Sequence, residues 1–238
     1  MTAELDRILD AHGGLSYWRS LAAVDLEMSA RGFLFTTKHV ALQRRMRLTV
    51  KTQVPEVILH DYPTPGHSTI FLGADRVETR DSSGQVTAAR ADPRAAFPYR
   101  RRLLYWDPLD LAYFCGYAMW NYIALPFLLT EPGFTVQQQP GTAGGVLLKV
   151  GFPPGLPTHS PRQEFHFDST GRLTRHDYTA EVIGRWARGA HLCSEYRQFG
   201  GMWLPTRRRV YPQGPFGRPL PAPTIVALDI HNAVPRPE

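Results

Sequence analysis

Alternating hydrophobic and polar residues run through most of this chain, and this alternation is typical of β-strands. Apolar residues alternate with charged or hydroxyl residues over residues 24–31. The same period of two recurs over residues 40–51, where Arg44 falls on the otherwise apolar face. Because a period of two places neighbouring side chains on opposite faces of a sheet, both segments are predicted to be half-buried strands.

Further short strands are predicted along the rest of the chain, separated by turn residues. Between two of them, the sequence Asp81-Ser82-Ser83-Gly84 predicts a hairpin turn. The additional strands are predicted over residues 57–62, 68–72, 76–80, 85–90, 146–152, 163–168, 173–182, 191–199, 204–211 and 224–232.

One helix interrupts the strands near the middle of the chain. Asp107 is a favourable N-cap, Pro108 suits the first helical position, and Asp110 is favoured by the helix dipole. The helix is predicted to run to about Tyr122. Since nearly all its sides are apolar or aromatic, it should lie between a sheet and another layer.

This order of elements predicts a mainly β (α+β) fold. We expect a large curled antiparallel sheet, an open half-barrel, with a helical insert at about residues 105–130 closing its concave face. We interpret residues 1–238 as one domain. The concave face should carry five apolar side chains, those of Leu26, Met28, Leu42, Met46 and Leu48.

Composition supports this fold class and excludes others. The chain contains 21 prolines and 20 glycines, which argues against a helical bundle, and it is 43% hydrophobic, which excludes a disordered chain. Two cysteines cannot build a disulfide framework.

The first residues lack the apolar region of a secretory signal, so a cytoplasmic location is expected. Residues 111–130 match the length of a membrane span, but Asn121 and Pro126 favour a buried helix.

Arginine dominates the basic residues, and the net charge is +6. Nine of the arginines form three groups, at positions 44, 45 and 47, at 100–102 and at 207–209. In a strand, alternate members of such a group point to opposite faces, so a continuous phosphate-binding stripe for nucleic acid is disfavoured. Peripheral contact with an anionic membrane surface, or binding of an acidic ligand head group, is the favoured interpretation.

The central helix offers a candidate wall for a ligand. Seven aromatic residues and one amide, Asn121, lie within residues 106–127 of the helical insert, an arrangement that suits an apolar or aromatic ligand. The alternative is an ordinary aromatic core. A buried Arg44 would either pair with Asp107 or Asp110 or bind an acidic head group. The candidate ligand-binding residues are Arg44, Tyr113, Tyr117, Trp120, Asn121 and Tyr122.

Acid–base residues occur on two neighbouring predicted strands. His176 and Tyr178 share one strand face, and His191 lies on the next strand with Cys193, Glu195 and Arg197. If a hairpin pairs these strands, Asp177 and Arg197 could meet the two histidines. A histidine with a carboxylate is the minimum for general acid–base catalysis, although charged strand faces more commonly only stabilise a sheet. The candidate catalytic residues are His176, Asp177, Tyr178 and His191.

Metal and cofactor signals are weak. Glu164, His166 and Asp168 share a strand face, with His159 upstream, but ligands on one strand rarely make a site. The sequence contains no GxSxG, HExxH, GxGxxG or P-loop motif. We therefore predict no metal site and no cofactor.

Several segments resemble the lipoprotein-localisation-factor (LolA/LolB-like) superfamily over nearly the whole chain. These segments are HGGLSYWRSLAAVDLEMSARG, QEFHFDSTGRLTRHDY, GGMWLPTRRRV and IVALDIHNAV. The resemblance implies an open β half-barrel whose concave face is closed by helices and holds acyl chains. The expected function is therefore binding of a lipophilic small molecule, either neutral or anionic, or of an acyl chain. The alternatives are a cavity enzyme of the isomerase or cyclase type using His176 or His191, and a membrane-associated scaffold.

Overall fold

One antiparallel sheet forms the body of the protein. The computed structural model describes residues 3–98 and 100–238, and of residue 100 it describes the backbone. Within these described ranges the sheet has thirteen strands in the order β6-β5-β4-β3-β2-β1-β13-β12-β11-β10-β9-β8-β7. Because β6 and β7 lie at opposite edges, the curled sheet remains open, and the predicted half-barrel is confirmed. The strands are β1 (Leu21–Arg31), β2 (Gln43–Lys51), β3 (Glu56–His60), β4 (Ser68–Leu72), β5 (Arg76–Arg80), β6 (Val86–Ala91), β7 (Thr135–Pro140), β8 (Val146–Gly151), β9 (Arg162–Phe167), β10 (Leu173–Thr179), β11 (Arg188–Phe199), β12 (Met202–Pro212) and β13 (Val226–Pro237).

The predicted strands all occur, with ends that differ by a few residues, and one strand was missed. β7 has the sequence TVQQQP, and all its residues are exposed at the edge of the sheet. A strand that buries neither face needs no alternation of apolar and polar residues. Its sequence therefore carried no period-two signal.

A bulge in β2 overturns part of the predicted concave face. Met28 pairs with Met46, but Ala30 pairs with Gln43, so two residues of β2, Arg44 and Arg45, stand opposite one residue of β1. Arg45 has a positive φ of 48°. The extra residue reverses the side of the sheet that the residues before the bulge face. The predicted inward positions of Leu42 and Arg44 are therefore wrong, since both are exposed.

The other predicted concave positions are confirmed or nearly so. Leu26, Met28 and Leu48 are at most 3% exposed. Met46 is partly buried and packs against the same core. The sheet therefore presents an apolar inner face along β1 and the inner part of β2.

Helices cover this inner face. They are α1 (Ala3–Ala11), α2 (Leu15–Arg19), α3 (Phe33–Thr37) and α5 (Pro108–Ala124). A further helix, α4 (Arg100–Leu104), precedes α5 and is largely exposed over residues 101–104. Helix α1 packs against a second hydrophobic cluster on β8, β9 and β10 through Ile8. In the described ranges, none of the helices has both the length and the apolar character needed to cross a membrane.

Helix α5 begins as predicted and is buried along most of its length. The side chain of Asp107 accepts a hydrogen bond from the Asp110 backbone at 3.0 Å, and the Asp110 side chain accepts one from the Asp107 backbone at 3.2 Å. At Gly116 the helix approaches β4 so closely that a Cβ atom would lie 2.4 Å from Phe71. The helix therefore packs tightly on the half of the sheet formed by β2 to β5.

Candidate functional site

A buried group of histidine and tyrosine side chains lies between α5 and the inner face of β10 and β11. None of its members is more than 9% exposed. The strands, the helix and the loop between β8 and β9 all contribute to it. We call this group the ring cluster, and its members are Tyr117, Tyr122, His159, His176, Tyr178 and His191.

His159 lies at the centre of the ring cluster. Its Nδ1 is 3.2 Å from the Tyr117 hydroxyl, and its Nε2 is 2.8 Å from the Tyr122 hydroxyl. Its ring stacks on Tyr178 with a centroid separation of 3.8 Å. Burial, reinforced by the positive charge of Arg94, lowers the pKa of His159 to about 3. The imidazole is therefore neutral at pH 7, with one donor and one acceptor nitrogen for the two hydroxyls.

The other two histidines face each other across the β10–β11 pair. His176 is directly opposite His191 in the strand register. The Nε2 atom of His176 lies 2.5 Å from Oε1 of Gln163. Among the described residues, neither ring nitrogen of His191 has a hydrogen-bond partner. Burial lowers the pKa of both histidines well below the usual value, so both are neutral at pH 7.

The predicted acid–base constellation is only partly assembled. His176, Tyr178 and His191 come together, and their catalytic role remains a prediction. Asp177 points to the opposite face of the sheet, where it accepts hydrogen bonds from Arg175 at 2.7 Å and Gln213 at 2.8 Å. Asp177 does not meet the histidines because neighbouring strand residues face opposite sides. Arg197 is exposed and lies six residues along β11 from His191, so the expectation that these two residues meet the histidines is wrong.

The candidate ligand-binding residues of α5 are all buried, but they have different surroundings. The Asn121 side chain donates hydrogen bonds to the backbone oxygens of Tyr117 and Pro157 at 2.7 and 2.8 Å, which is a structural use of the amide. Of these residues, Tyr122 lines the apolar cavity described next. Tyr113, Tyr117 and Trp120 belong to the hydrophobic core and are not among the residues that line this cavity.

An apolar cavity of about 40 Å³ lies between α5 and strands β1, β2 and β13, and we call it the inner cavity. Two tyrosines of the ring cluster form part of its wall. Its lining consists of Met28, Ala30, Phe35, Gln43, Met46, Leu111, Phe114, Cys115, Ala118, Met119, Tyr122, Tyr178, Val226 and Leu228.

An open surface cleft of about 470 Å³, the outer cleft, adjoins the inner cavity. Gln43 and Met46 line both of them. Arg44 lines the outer cleft with its side chain exposed, so its predicted burial is wrong because of the bulge in β2. Its predicted pairing with Asp107 or Asp110 is also wrong within the described residues. These two carboxylates instead pair with Arg90 and Arg102.

Arg208, the middle residue of the arginine group at 207–209, faces inward. It lies on β12 and is only 2% exposed. One Nη donates to the sulfur of Cys193 at 3.4 Å, the other donates to the backbone oxygen of Tyr122 at 3.2 Å, and the guanidinium lies 4.8 Å from the Tyr122 ring. Its alternation with the buried residues Leu204 and Val210 was the signal that could have revealed it.

The predicted metal-ligand types are distributed over both faces of the sheet. Glu164 and His166 lie with Asp177 on the outer face, with potential ligand atoms within 4.8 Å of one another. Asp168 instead accepts hydrogen bonds from Thr170 in the following turn. His159 belongs to the buried ring cluster. The four residues Glu164, His166, Asp168 and His159 therefore do not form one group.

Comparison with solved structures identifies the fold. A DUF1329 family protein from Desulfovibrio piger superposes with a TM-score of 0.51 at 14% identity, covering 98% of this chain and 92% of that chain. A LolA superfamily protein from Nitrosomonas europaea superposes with a TM-score of 0.50 at 12% identity, covering 97% of this chain and 93% of that chain. The chain has a LolA-like fold. No protein-family model and no curated protein sequence matches it.

Proposed function

We propose that this LolA-like protein binds a lipophilic small molecule between α5 and the sheet, at the inner cavity. The observation that carries the proposal is the apolar, methionine-lined cavity beneath the outer cleft. Ligand sites in proteins are concave, mostly apolar and provided with a few polar groups that orient the ligand. Tyr122 and Tyr178 would supply such groups here.

The composition of the cavity wall supports an adaptable site. Met28, Met46 and Met119 contribute flexible, unbranched side chains, which rearrange at low cost to fit different apolar shapes. At about 40 Å³ the cavity holds no more than a few water molecules. Uptake of a larger ligand therefore requires these side chains to move away from one another.

The outer cleft supports an entrance for anionic lipophilic molecules. Aromatic residues and arginines line it together, with Tyr105 beside Arg44, Arg45 and Arg47. Arg45 pairs with Glu27 and Arg47 pairs with Asp61, whereas Arg44 has no ion-pair partner in the described part of the chain. Arg44 is thus the arginine at this entrance that is most available to an acidic group.

Filling the inner cavity tests the proposal. N-phenyl-1-naphthylamine, a neutral probe that fluoresces in apolar surroundings, should bind the wild-type protein. Ala118→Leu places a larger side chain on the cavity wall and should weaken probe binding about ten-fold or more, because the side chain occupies ligand space. Ala89→Leu, on the exposed surface of β6, is the matched control and should bind like wild type. Absence of probe binding by the wild type, or equal binding by Ala118→Leu, would overturn the proposal.

We further propose a peripheral contact with an anionic membrane surface at one end of the sheet. Trp186 and Phe216 are 77% and 99% exposed, on the loop before β11 and the loop after β12. These loops lie at the same end of the sheet, where the Gln213 backbone N–H donates to the backbone oxygen of Arg188 at the start of β11. Exposed arginines accompany them, including Arg218. Aromatic side chains beside basic ones favour the interface of an anionic bilayer. The apolar segment 111–130 is buried and is not the surface proposed here.

A further inference from the structure

Among the residues that the structure describes, the buried cation Arg208 has no carboxylate partner. Its described contacts are the Cys193 sulfur, the Tyr122 backbone oxygen and the Tyr122 ring, and its Nε atom has no hydrogen-bond partner. Burial raises the pKa of Cys193, so its thiol is neutral and supplies no counter-charge. An unpaired guanidinium in the interior is costly, and a bound anion would remove much of this cost.

A second polar side chain without a partner lies next to Arg208 on the same inner face. In the register of β11 and β12, Cys193 is opposite Arg208 and His191 is opposite Val210, so Arg208 and His191 are diagonal neighbours. His191 is 1% exposed, and both its ring nitrogens lack a hydrogen-bond partner among the described residues. Buried polar atoms in native proteins are nearly always hydrogen-bonded. Two such exceptions side by side therefore point to a missing ligand group.

Neither side chain lines the inner cavity, but both contact Tyr122, which does. Tyr122 lines the cavity, lies over Arg208 and contacts His191 with a ring centroid separation of 4.8 Å. Leu228 also lines the cavity and is paired with Arg208 across β12 and β13. A ligand whose apolar part displaced the methionine side chains could therefore place a polar end against these two residues.

We propose that Arg208 and His191 bind the carboxylate of a lipophilic monocarboxylic acid whose apolar part lies in the inner cavity. The proposal rests on the proposed function and names its ligand class. A carboxylate accepts hydrogen bonds from guanidinium in a planar geometry, and a neutral imidazole can add one N–H donor. One guanidinium balances the single negative charge of a carboxylate. The apolar lining and Tyr122 would then fix the orientation of the remainder.

The test compares two ligands that differ only at the head group, dodecanoate and 1-dodecanol. Displacement of N-phenyl-1-naphthylamine gives the affinity of each. Wild type should bind dodecanoate about ten-fold or more tightly than 1-dodecanol, because charged hydrogen bonds are the stronger ones. Arg208→Met should remove this preference and leave 1-dodecanol affinity within about two-fold. Arg207→Met, an exposed arginine beside it on β12, should retain the preference.

A second variant keeps the test decisive if Arg208→Met does not fold. His191→Phe should lower dodecanoate affinity about three-fold or more while 1-dodecanol affinity stays within about two-fold. Equal affinity of wild type for the two ligands would overturn the head-group assignment and leave the proposed function intact. Loss of the preference in Arg44→Met but not in Arg208→Met would place the head group at the outer cleft and overturn the assignment. Binding of neither ligand would overturn both proposals.

Discussion

Burial keeps the histidines of the ring cluster uncharged at neutral pH. The pKa of His159 is lowered to about 3, and those of His176 and His191 lie well below the usual value, chiefly because burial penalises the charged ring. Unfolding restores the usual pKa of 6.5, so between pH 6.5 and the lowered pKa the unfolded chain binds more protons than the native protein. The free energy of unfolding should therefore decrease as the pH falls below 6.5.

Replacing His159 should reduce this pH dependence. Each such histidine contributes about 1.4 kcal/mol per pH unit to the slope, so His159→Gln should lower the slope between pH 6 and pH 4.5 by roughly that amount. Urea unfolding at several pH values measures it. His39→Asn is the control, because His39 is exposed and asparagine tolerates its positive φ of 54°. An unchanged slope in His159→Gln would show that His159 is already charged in the native protein.

At the scale of elements, the start of α5 is held by a buried charge network. Asp110 is 1% exposed and pairs with Arg90 at 2.6 Å and with Arg102 at 3.1 Å, besides its part in the helix cap. The network ties α5 to β6 and α4. It holds the helix over the inner face of the sheet, where the inner cavity lies.

Neutralising Asp110 should therefore destabilise the protein. Asp110→Asn keeps the size of the side chain but leaves two partly buried arginines with weaker pairing, and should lower the free energy of unfolding by about 3 kcal/mol. Glu195→Gln breaks the exposed pair with Arg207, whose side chain is 50% exposed, and should leave the free energy of unfolding almost unchanged because solvent screens exposed pairs. Urea denaturation compares the two variants. Similar losses in both would contradict a special role for the network.

Elements with a strong local signal could be predicted from the sequence, and those shaped by distant contacts could not. The α5 cap follows from Asp107 and Pro108, and most strands follow from alternation. The bulge at Arg45 depends on the pairing with β1, so Arg44 was wrongly assigned to the interior. Arg208 was overlooked because its two charged neighbours hide the alternation of buried and exposed positions along β12. His159 was considered only as a metal ligand because its tyrosine partners come from α5, which is distant in the sequence.

At the scale of the whole molecule, the open sheet separates two surfaces with different properties. The inner face is closed by α1 and α5 and carries the inner cavity, while the end bearing Trp186 and Phe216 exposes large aromatic side chains. In a protein that takes up its ligand from a membrane, the end bearing Trp186 and Phe216 would contact the membrane and the inner cavity would hold the ligand.

The membrane contact should depend on these two aromatic residues. Cosedimentation with vesicles containing phosphatidylglycerol should exceed that with neutral phosphatidylcholine vesicles, because basic side chains favour the anionic surface. Replacing Trp186 and Phe216 together by serine should reduce binding to the anionic vesicles about five-fold or more. Replacing the exposed residues Phe33 and Leu104 by serine is the control at another surface. Equal binding by both double variants would contradict the proposed contact.

The central claim is that a lipophilic ligand enters the inner cavity, and the methionine methyl groups report on it most directly. Met28, Met46 and Met119 line the cavity, whereas Met202 is buried in β12 outside its lining. Nuclear magnetic resonance of methyl-labelled methionines should be recorded during titration with N-phenyl-1-naphthylamine. Our account predicts that the signals of Met28, Met46 and Met119 shift while that of Met202 remains in place. Saturable probe binding with all three cavity methionines unchanged would contradict it.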